Sequence, residues 1–93
     1  MPKVFISNKF KRSLRKFVRS NLDLQRKIEQ TVTTMEKDLF SPPLGTHKLS
    51  GKLLGLLSCS CGYDCRIVFS LTTDDNNEQV IVLLDIGTHD EVY

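Results

Sequence analysis

A chain of 93 residues is long enough for one small domain with a single modest core, so we expect one domain over residues 1–93. Its composition, 40% apolar and 26% charged with a net charge of +2, is that of an ordinary globular protein. No apolar run approaches the roughly 18 residues that span a membrane, and the N-terminus has no export signal, so the protein is predicted to be cytoplasmic with no membrane partner.

The first half of the chain predicts a strand followed by two helices. Residues 3–7 favour a short strand because they are rich in apolar residues that prefer extended structure. Asn8 is a suitable N-cap for a helix up to residue 19, in which apolar residues recur on one face and six Lys and Arg cover the rest. A second apolar stripe predicts a helix over residues 22–39. Two helices joined by a short turn should pack as an antiparallel hairpin.

The second half predicts three strands. Two prolines and a glycine within residues 42–45 end the second helix. Strands are expected at residues 53–61, with a glycine kink, and at residues 64–71, where apolar and polar residues alternate. Residues 80–84 are all apolar, which indicates a strand covered on both faces at the centre of a sheet. The order β-α-α-β-β-β predicts an α+β fold, with a helical hairpin on one face of a mainly antiparallel four-stranded sheet.

Charge is distributed unevenly along the chain. Residues 1–52 hold twelve Lys or Arg and four Asp or Glu, a net +8, whereas residues 53–93 hold one Arg and seven acids, a net −6. A basic half of this kind favours a polyanion or an acidic protein as the partner. The alternative is a solvated helix face, on which Lys and Arg are common.

Three cysteines, Cys59, Cys61 and Cys65, fall within seven positions. Their number is odd and no export signal precedes them, so a disulfide is not expected and we interpret them as reduced, partly buried strand residues. A zinc site is the alternative, but the C-x-C-x3-C spacing lacks the usual C-x2-C knuckle. We therefore expect no metal.

Three segments of the second half resemble, in order and spacing, the RelE/ParE superfamily of toxin–antitoxin toxins. Residues 47–51 contain a His before Leu-x-Gly, residues 62–69 contain an Arg followed by apolar residues and an aromatic, and residues 86–93 end in Ile-Gly-x-His-x-x-x-Tyr. Because the predicted order of elements is also similar to the fold of that family, the resemblance covers nearly the whole chain.

The resemblance implies a toxin of a type II toxin–antitoxin system that is held silent by a cognate antitoxin. RelE-like and YafQ-like members are ribosome-dependent mRNA endonucleases that inhibit translation, so the expected partners are the antitoxin, the ribosome and mRNA, without a cofactor. ParE-like members instead poison DNA gyrase, which is the first alternative. A degenerate member that only binds an antitoxin or another protein is the second alternative.

Carried over position by position, the resemblance nominates a set of catalytic and RNA-binding candidates. The catalytic candidates are His47, Asp64, Arg66, His89 and Tyr93, and the RNA-binding candidates are Lys48 and Lys52. The set mixes two nuclease patterns, since Arg66 is RelE-like whereas Asp64 and both histidines are YafQ-like. It departs from the YafQ-like pattern at two points: a second His before the Asp is absent, and Cys65 replaces the Trp that follows the Asp.

Metal-independent cleavage of RNA needs a base for the ribose 2′-OH, an acid for the leaving 5′-oxygen and a cation beside the phosphorane. An unperturbed imidazole titrates near pH ~6.5 and can serve as acid or base, and a guanidinium matches the geometry of phosphate. We therefore expect Asp64 or His47 to be the base and His89 to be the acid. Arg66 would hold the scissile phosphate, and Tyr93 would stack on a base or orient the nucleotide.

Overall fold

The computed structural model describes residues 2–93 as a mixed five-stranded sheet with two long helices on one face. The strands are β1 (Lys3–Ile6), β2 (His47–Lys48), β3 (Leu57–Ser60), β4 (Arg66–Thr73) and β5 (Gln79–Gly87). The helices are α1 (Asn8–Val18), α2 (Leu22–Lys37) and the short α3 (His89–Val92), and single 3-10 turns lie at Pro42–Leu44 and Gly51–Leu53. The predicted α+β class is confirmed.

The sheet has the strand order β1-β5-β4-β3-β2, in which β1 is parallel to β5 and the other pairs are antiparallel. The apolar strand β5 therefore lies between β1 and β4, as its composition predicted. Ile81 and Leu83 of β5 are fully buried. A β-bulge between Val68 and Phe69 of β4 interrupts the pairing with β5, which locally increases the strand twist.

The two long helices cover one face of the sheet. Phe10 of α1 and Ile28 and Met35 of α2 are buried in one core cluster with the inward side chains of β3, β4 and β5. The helix starts are capped by side chains, although the cap of α1 is Ser7 rather than the predicted Asn8, because its Oγ accepts the Phe10 amide at 3.0 Å.

The sheet has five strands rather than the predicted four. The additional strand, β2, contains two residues that pair with the end of β3, and a strand this short has no periodicity to detect. Residues 53–56 were predicted to be strand but form the end of a 3-10 turn and a loop. Gly55 has a φ of +94°, a conformation outside the β region, which turns the chain before β3 begins at Leu57.

The cysteine prediction is wrong for two of the three residues, because Cys61 and Cys65 form a disulfide with their Cα atoms 5.0 Å apart. Cys61 follows β3 and Cys65 precedes β4, so the hairpin places them opposite each other, and the Cys61 amide donates to the Cys65 carbonyl at 2.9 Å. Cys59 stays a free, buried thiol with its Sγ 3.7 Å from the Met35 Sδ. The disulfide uses two of the three thiolates that the zinc alternative required.

Two further findings concern metal ions and membranes. Among residues 2–93, no three His, Cys, Asp or Glu side chains are grouped so that they could hold a metal ion. None of the helices formed by this part of the chain combines the length and the hydrophobicity needed to cross a bilayer.

Reducing the disulfide should lower the free energy of unfolding by about 2 kcal/mol, the loop-closure contribution of a five-residue ring. Urea unfolding of the wild type with and without dithiothreitol measures this change. The variant with both Cys61→Ser and Cys65→Ser is the control, and its stability should not respond to the reductant. Equal wild-type stability under both conditions would contradict the prediction.

Cys59 should resist alkylation by iodoacetamide in the folded protein at about pH 8, because burial raises the pKa of its thiol to about 12 and almost no thiolate is present. Unfolding in urea exposes the thiol and should allow complete reaction. Intact-mass measurement without reductant distinguishes the two states. Rapid labelling of the folded protein would show that β3 opens far more often than its burial indicates.

Candidate active site

Three strand ends lie level at one edge of the sheet. Ser60 at the end of β3, Arg66 at the start of β4 and Gly87 at the end of β5 are neighbours in the strand register. The loop of residues 61–65 and helix α3 both leave the sheet from these ends. Three of the five catalytic candidates therefore lie at or next to this edge.

The guanidinium of Arg66 is held by neutral acceptors. Its Nη1 donates to the Cys65 carbonyl at 3.0 Å, to the Gly62 carbonyl at 3.3 Å and to the Ser60 Oγ at 3.5 Å. Across the described residues 2–93, no carboxylate lies within 4.0 Å of it. The half-buried Arg66 is thus oriented by the loop while its positive charge is not paired, which is the condition for binding a phosphate.

Asp64 connects the loop of residues 61–65 to α3. Its Oδ1 accepts the backbone N–H of His89 at 3.0 Å. The backbone of Asp64 has a φ of +51°, in the left-handed region that Asp and Asn tolerate better than most residues. The carboxylate therefore supplies the acceptor for the first amide of α3.

Helix α3 presents His89 beside Tyr93. The helix begins with a capping box in which Thr88 Oγ1 accepts the Glu91 amide and Glu91 Oε1 accepts the Thr88 amide. A Cβ at Gly87 would lie 3.0 Å from Glu91 Oε1, so this close approach favours glycine. The exposed His89 ring meets the Tyr93 ring edge to face, with centroids 4.7 Å apart.

The hydroxyl of Tyr93 donates a hydrogen bond to Ser58 Oγ on β3. Ser58 is fully buried and Tyr93 as a whole residue is 42% exposed, so the tyrosine is held at its hydroxyl and stays partly accessible to solvent. Sequence analysis did not single out Ser58 or Ser60. Their spacing could have indicated that they act together, because residues two positions apart in a strand lie on the same face of the sheet.

His47 lies opposite Ser58 in the pairing of β2 with β3, which puts both side chains on the same face of the sheet. Its Nδ1 is 3.0 Å from the Gly45 carbonyl. A carbonyl oxygen can only accept, so Nδ1 carries the proton in this contact. In the neutral ring the lone pair is then on Nε2, as a general base requires.

The two lysine candidates lie on different faces. Lys48 follows His47 on β2 and pairs with Leu57, whose side chain points into the core, so Lys48 is directed away from the face that carries His47. Lys52 lines a shallow depression of about 300 Å³ together with Tyr93. The structure thus brings Lys52, but not Lys48, to the candidate site.

Direct contacts connect most of the candidate residues. Asp64 contacts His89, His89 contacts Tyr93, and Tyr93 contacts Ser58, which is the cross-strand neighbour of His47. Arg66 joins the same edge through Ser60. The arrangement offers two imidazoles, one unpaired guanidinium and the aromatic ring of a partly exposed tyrosine, the groups needed to bind and cleave a phosphodiester.

A helical hairpin on one face of a mixed sheet, with these groups at one edge, defines the fold class of the chain. The same fold is found in solved structures of toxins, which confirms the predicted fold. YafQ from E. coli strain BL21(DE3) matches with a TM-score of 0.79 over 100% of this chain and 99% of that chain, at 13% identity. The YoeB/ParE toxin from Agrobacterium tumefaciens matches with a TM-score of 0.75 over 94% and 98%, at 16% identity.

A chain of the E. coli DinJ-YafQ toxin–antitoxin complex also matches, with a TM-score of 0.72 over 99% of this chain and 97% of that chain, at 15% identity. No protein-family model matches the sequence, and no curated protein matches it. The similarity is therefore carried by the arrangement of helices and strands and by little sequence.

The hydrogen bond between Tyr93 and Ser58 should couple the two side chains by about 1 kcal/mol. Urea unfolding of the wild type, Ser58→Ala, Tyr93→Phe and the double variant measures this coupling as a double-mutant cycle. Tyr63→Phe is the matched control, since Tyr63 is fully exposed and loss of its hydroxyl should change nothing. Additive effects of Ser58→Ala and Tyr93→Phe would show that the contact does not stabilise the fold.

Proposed function

We propose that the protein is the toxin of a type II toxin–antitoxin system and that it cleaves mRNA on the ribosome, which inhibits translation. The observation that supports this proposal is a series of contacts on a RelE/ParE-type sheet. Arg66 contacts Ser60, the His89 ring contacts Tyr93, and Tyr93 reaches Ser58, the cross-strand neighbour of His47. A gyrase poison needs no such set of acid–base and phosphate-binding groups. The protein would act in the cytoplasm, where ribosomes and mRNA are present.

The proposed cleavage uses only side chains of the protein. His47 or Asp64 takes the proton from the ribose 2′-OH, and the oxygen attacks the adjacent phosphorus. Arg66 binds the phosphate oxygens and stabilises the charge that develops on the phosphorane. His89 gives a proton to the 5′-oxygen as the bond to phosphorus breaks, which leaves a 2′,3′-cyclic phosphate and a free 5′-hydroxyl.

Two residues beside the acid–base groups would position the RNA. The ring of the partly exposed Tyr93 would stack on a nucleotide base, while its hydroxyl stays fixed to Ser58. Lys52, on the rim of the same depression, would bind a flanking phosphate. Lys48 has no part in this scheme because it is directed to the opposite face.

Helix α1 would provide a second, non-catalytic contact with the ribosome or the antitoxin. Its solvent face carries six basic residues: Lys9, Lys11, Arg12, Arg15, Lys16 and Arg19 at its end. Of these six, only Lys9 forms an ion pair with another described residue, Asp85, at 3.5 Å. The remaining charges favour ribosomal RNA or an acidic antitoxin segment as the bound surface.

A cognate antitoxin is the proposed protein partner. The complex of YafQ with DinJ supports this proposal, because its toxin has the same fold as this chain. The antitoxin would bind the basic helix, or the sheet face that carries Arg66, with an acidic or amphipathic segment. A segment bound over that sheet face would keep RNA away from Arg66 and the two histidines.

Induced expression should arrest growth and produce in-frame cuts in translated mRNA, detected by mapping 5′ ends in the same cells. Arg66→Ala and His89→Ala should each reduce the cutting by on the order of 10²-fold or more, because each removes a group that acts on the reacting phosphodiester. Arg26→Ala on α2 is the matched control, since this exposed arginine belongs to a helix on the opposite face of the sheet.

Other outcomes would favour the alternatives. Arrest with intact mRNA and damaged DNA would indicate a gyrase poison. No arrest from folded, well-expressed protein would indicate a degenerate binder, which the disulfide-bonded Cys65 in place of the family's Trp also favours. Cutting that persists in Arg66→Ala and His89→Ala would move the site elsewhere.

A further inference from the structure

We infer that Asp64 is a positioning residue, which holds His89 and α3 in place, and that His47 is the general base. This inference rests on the proposed function, which leaves open whether His47 or Asp64 is the base, and it decides between them. It follows from the partners of the Asp64 carboxylate, the backbone of its loop and the proton on His47.

The carboxylate of Asp64 completes the hydrogen bonding at the start of α3. The capping box satisfies the amides of Thr88 and Glu91, and Asp64 Oδ1 accepts the amide of His89 at 3.0 Å. A helix of four residues has too few internal hydrogen bonds to hold its own position. Its location is set from outside, by Asp64 at the first residue and by Ser58 at Tyr93.

The loop that carries Asp64 is built to fix the direction of this side chain. The disulfide between Cys61 and Cys65 closes a ring around residues 62–64, and the Cys61 amide bonds the Cys65 carbonyl at 2.9 Å. The left-handed backbone of Asp64, with its φ of +51°, then aims the carboxylate at the N-terminus of α3. The same ring aligns the Gly62 and Cys65 carbonyls on Arg66.

The observed contact directs the Asp64 carboxylate at the backbone of α3. Its Oδ1 accepts the His89 amide at 3.0 Å, a role that needs an acceptor oxygen and that a neutral amide oxygen can also fill. His47 is oriented for the role of a base. Its Nδ1–H is donated to the Gly45 carbonyl at 3.0 Å, which leaves Nε2 unprotonated in the neutral ring and oriented by that bond.

Three substitutions at Asp64 separate the two roles. Asp64→Asn keeps an acceptor oxygen and tolerates the positive φ, but it is not a base. Asp64→Gly keeps the backbone conformation and removes the acceptor. Asp64→Ala removes the acceptor and strains the backbone. Cleavage of mRNA on ribosomes and the hydrogen-exchange rate of the His89 amide are measured for each variant.

If Asp64 is a positioning residue, Asp64→Asn retains most of the wild-type cleavage and shows the same fall in rate towards acidic pH. The His89 amide stays protected from hydrogen exchange. Asp64→Gly loses that protection and on the order of 10²-fold in rate, the effect of misplacing a catalytic group by about 1 Å. His47→Gln loses on the order of 10²–10⁴-fold with the His89 amide still protected, because it removes the base alone.

The opposite pattern overturns the inference. If Asp64→Asn is as inactive as Asp64→Ala while its His89 amide is as protected as in the wild type, Asp64 is the base. If the wild type does not cut RNA at all, the proposed function fails. The hydrogen-exchange rates of the His89 amide then test by themselves whether Asp64 holds α3 in place. Loss of hydrogen-exchange protection of the His89 amide in Asp64→Gly but not in Asp64→Asn then supports the positioning role of Asp64. Unchanged protection in Asp64→Gly refutes that role.

Discussion

The pairing of β4 with β5 is the interaction on which the rest of the structure depends. It aligns Arg66 with Gly87, so the loop before β4 and the helix after β5 begin side by side. Burial of Ile81, Leu83 and Phe69 stabilises this pairing by roughly 1.5–3 kcal/mol for each side chain. Because the two strands end side by side, Asp64 in the loop before β4 can accept a hydrogen bond from the His89 amide at the start of α3. The candidate site is therefore a product of strand register more than of local sequence.

The elements that were predicted correctly have long, regular patterns. The unbroken apolar run of β5 and the alternation along β4 each extend over enough residues to determine strand and face. The errors fall where tertiary contacts decide. Strand β2 is two residues long, and the apolar residues 53–56 would suit a strand until Gly55 turns the chain. The disulfide joins the ends of two different strands, and its formation depends on a hairpin geometry that spacing within one strand does not reveal.

For the candidate site, the sequence indicated residue types and the structure supplied their partners. A resemblance could nominate His47 and Asp64 as bases, but only the Gly45 carbonyl determines which nitrogen of His47 carries the proton. Lys48 was nominated as RNA-binding together with Lys52, but it pairs with Leu57 on β3, whose side chain lies in the core, so Lys48 is directed away from the face that carries His47. Ser58 has no place in any motif quoted for the family, and its importance becomes visible only because the Tyr93 hydroxyl reaches it.

The parallel pairing of β1 with β5 has a consequence for the order of folding during synthesis. Lys3 pairs with Val80, a residue added to the chain 77 positions later, and Phe10 is buried against strands that are also made late. The hairpin of α1 and α2 can form early from local contacts, but the sheet cannot close until β5 has left the ribosomal tunnel. The residues that would cut RNA come together after that closure, so a chain still under synthesis at β4 has a basic helical surface and no assembled site.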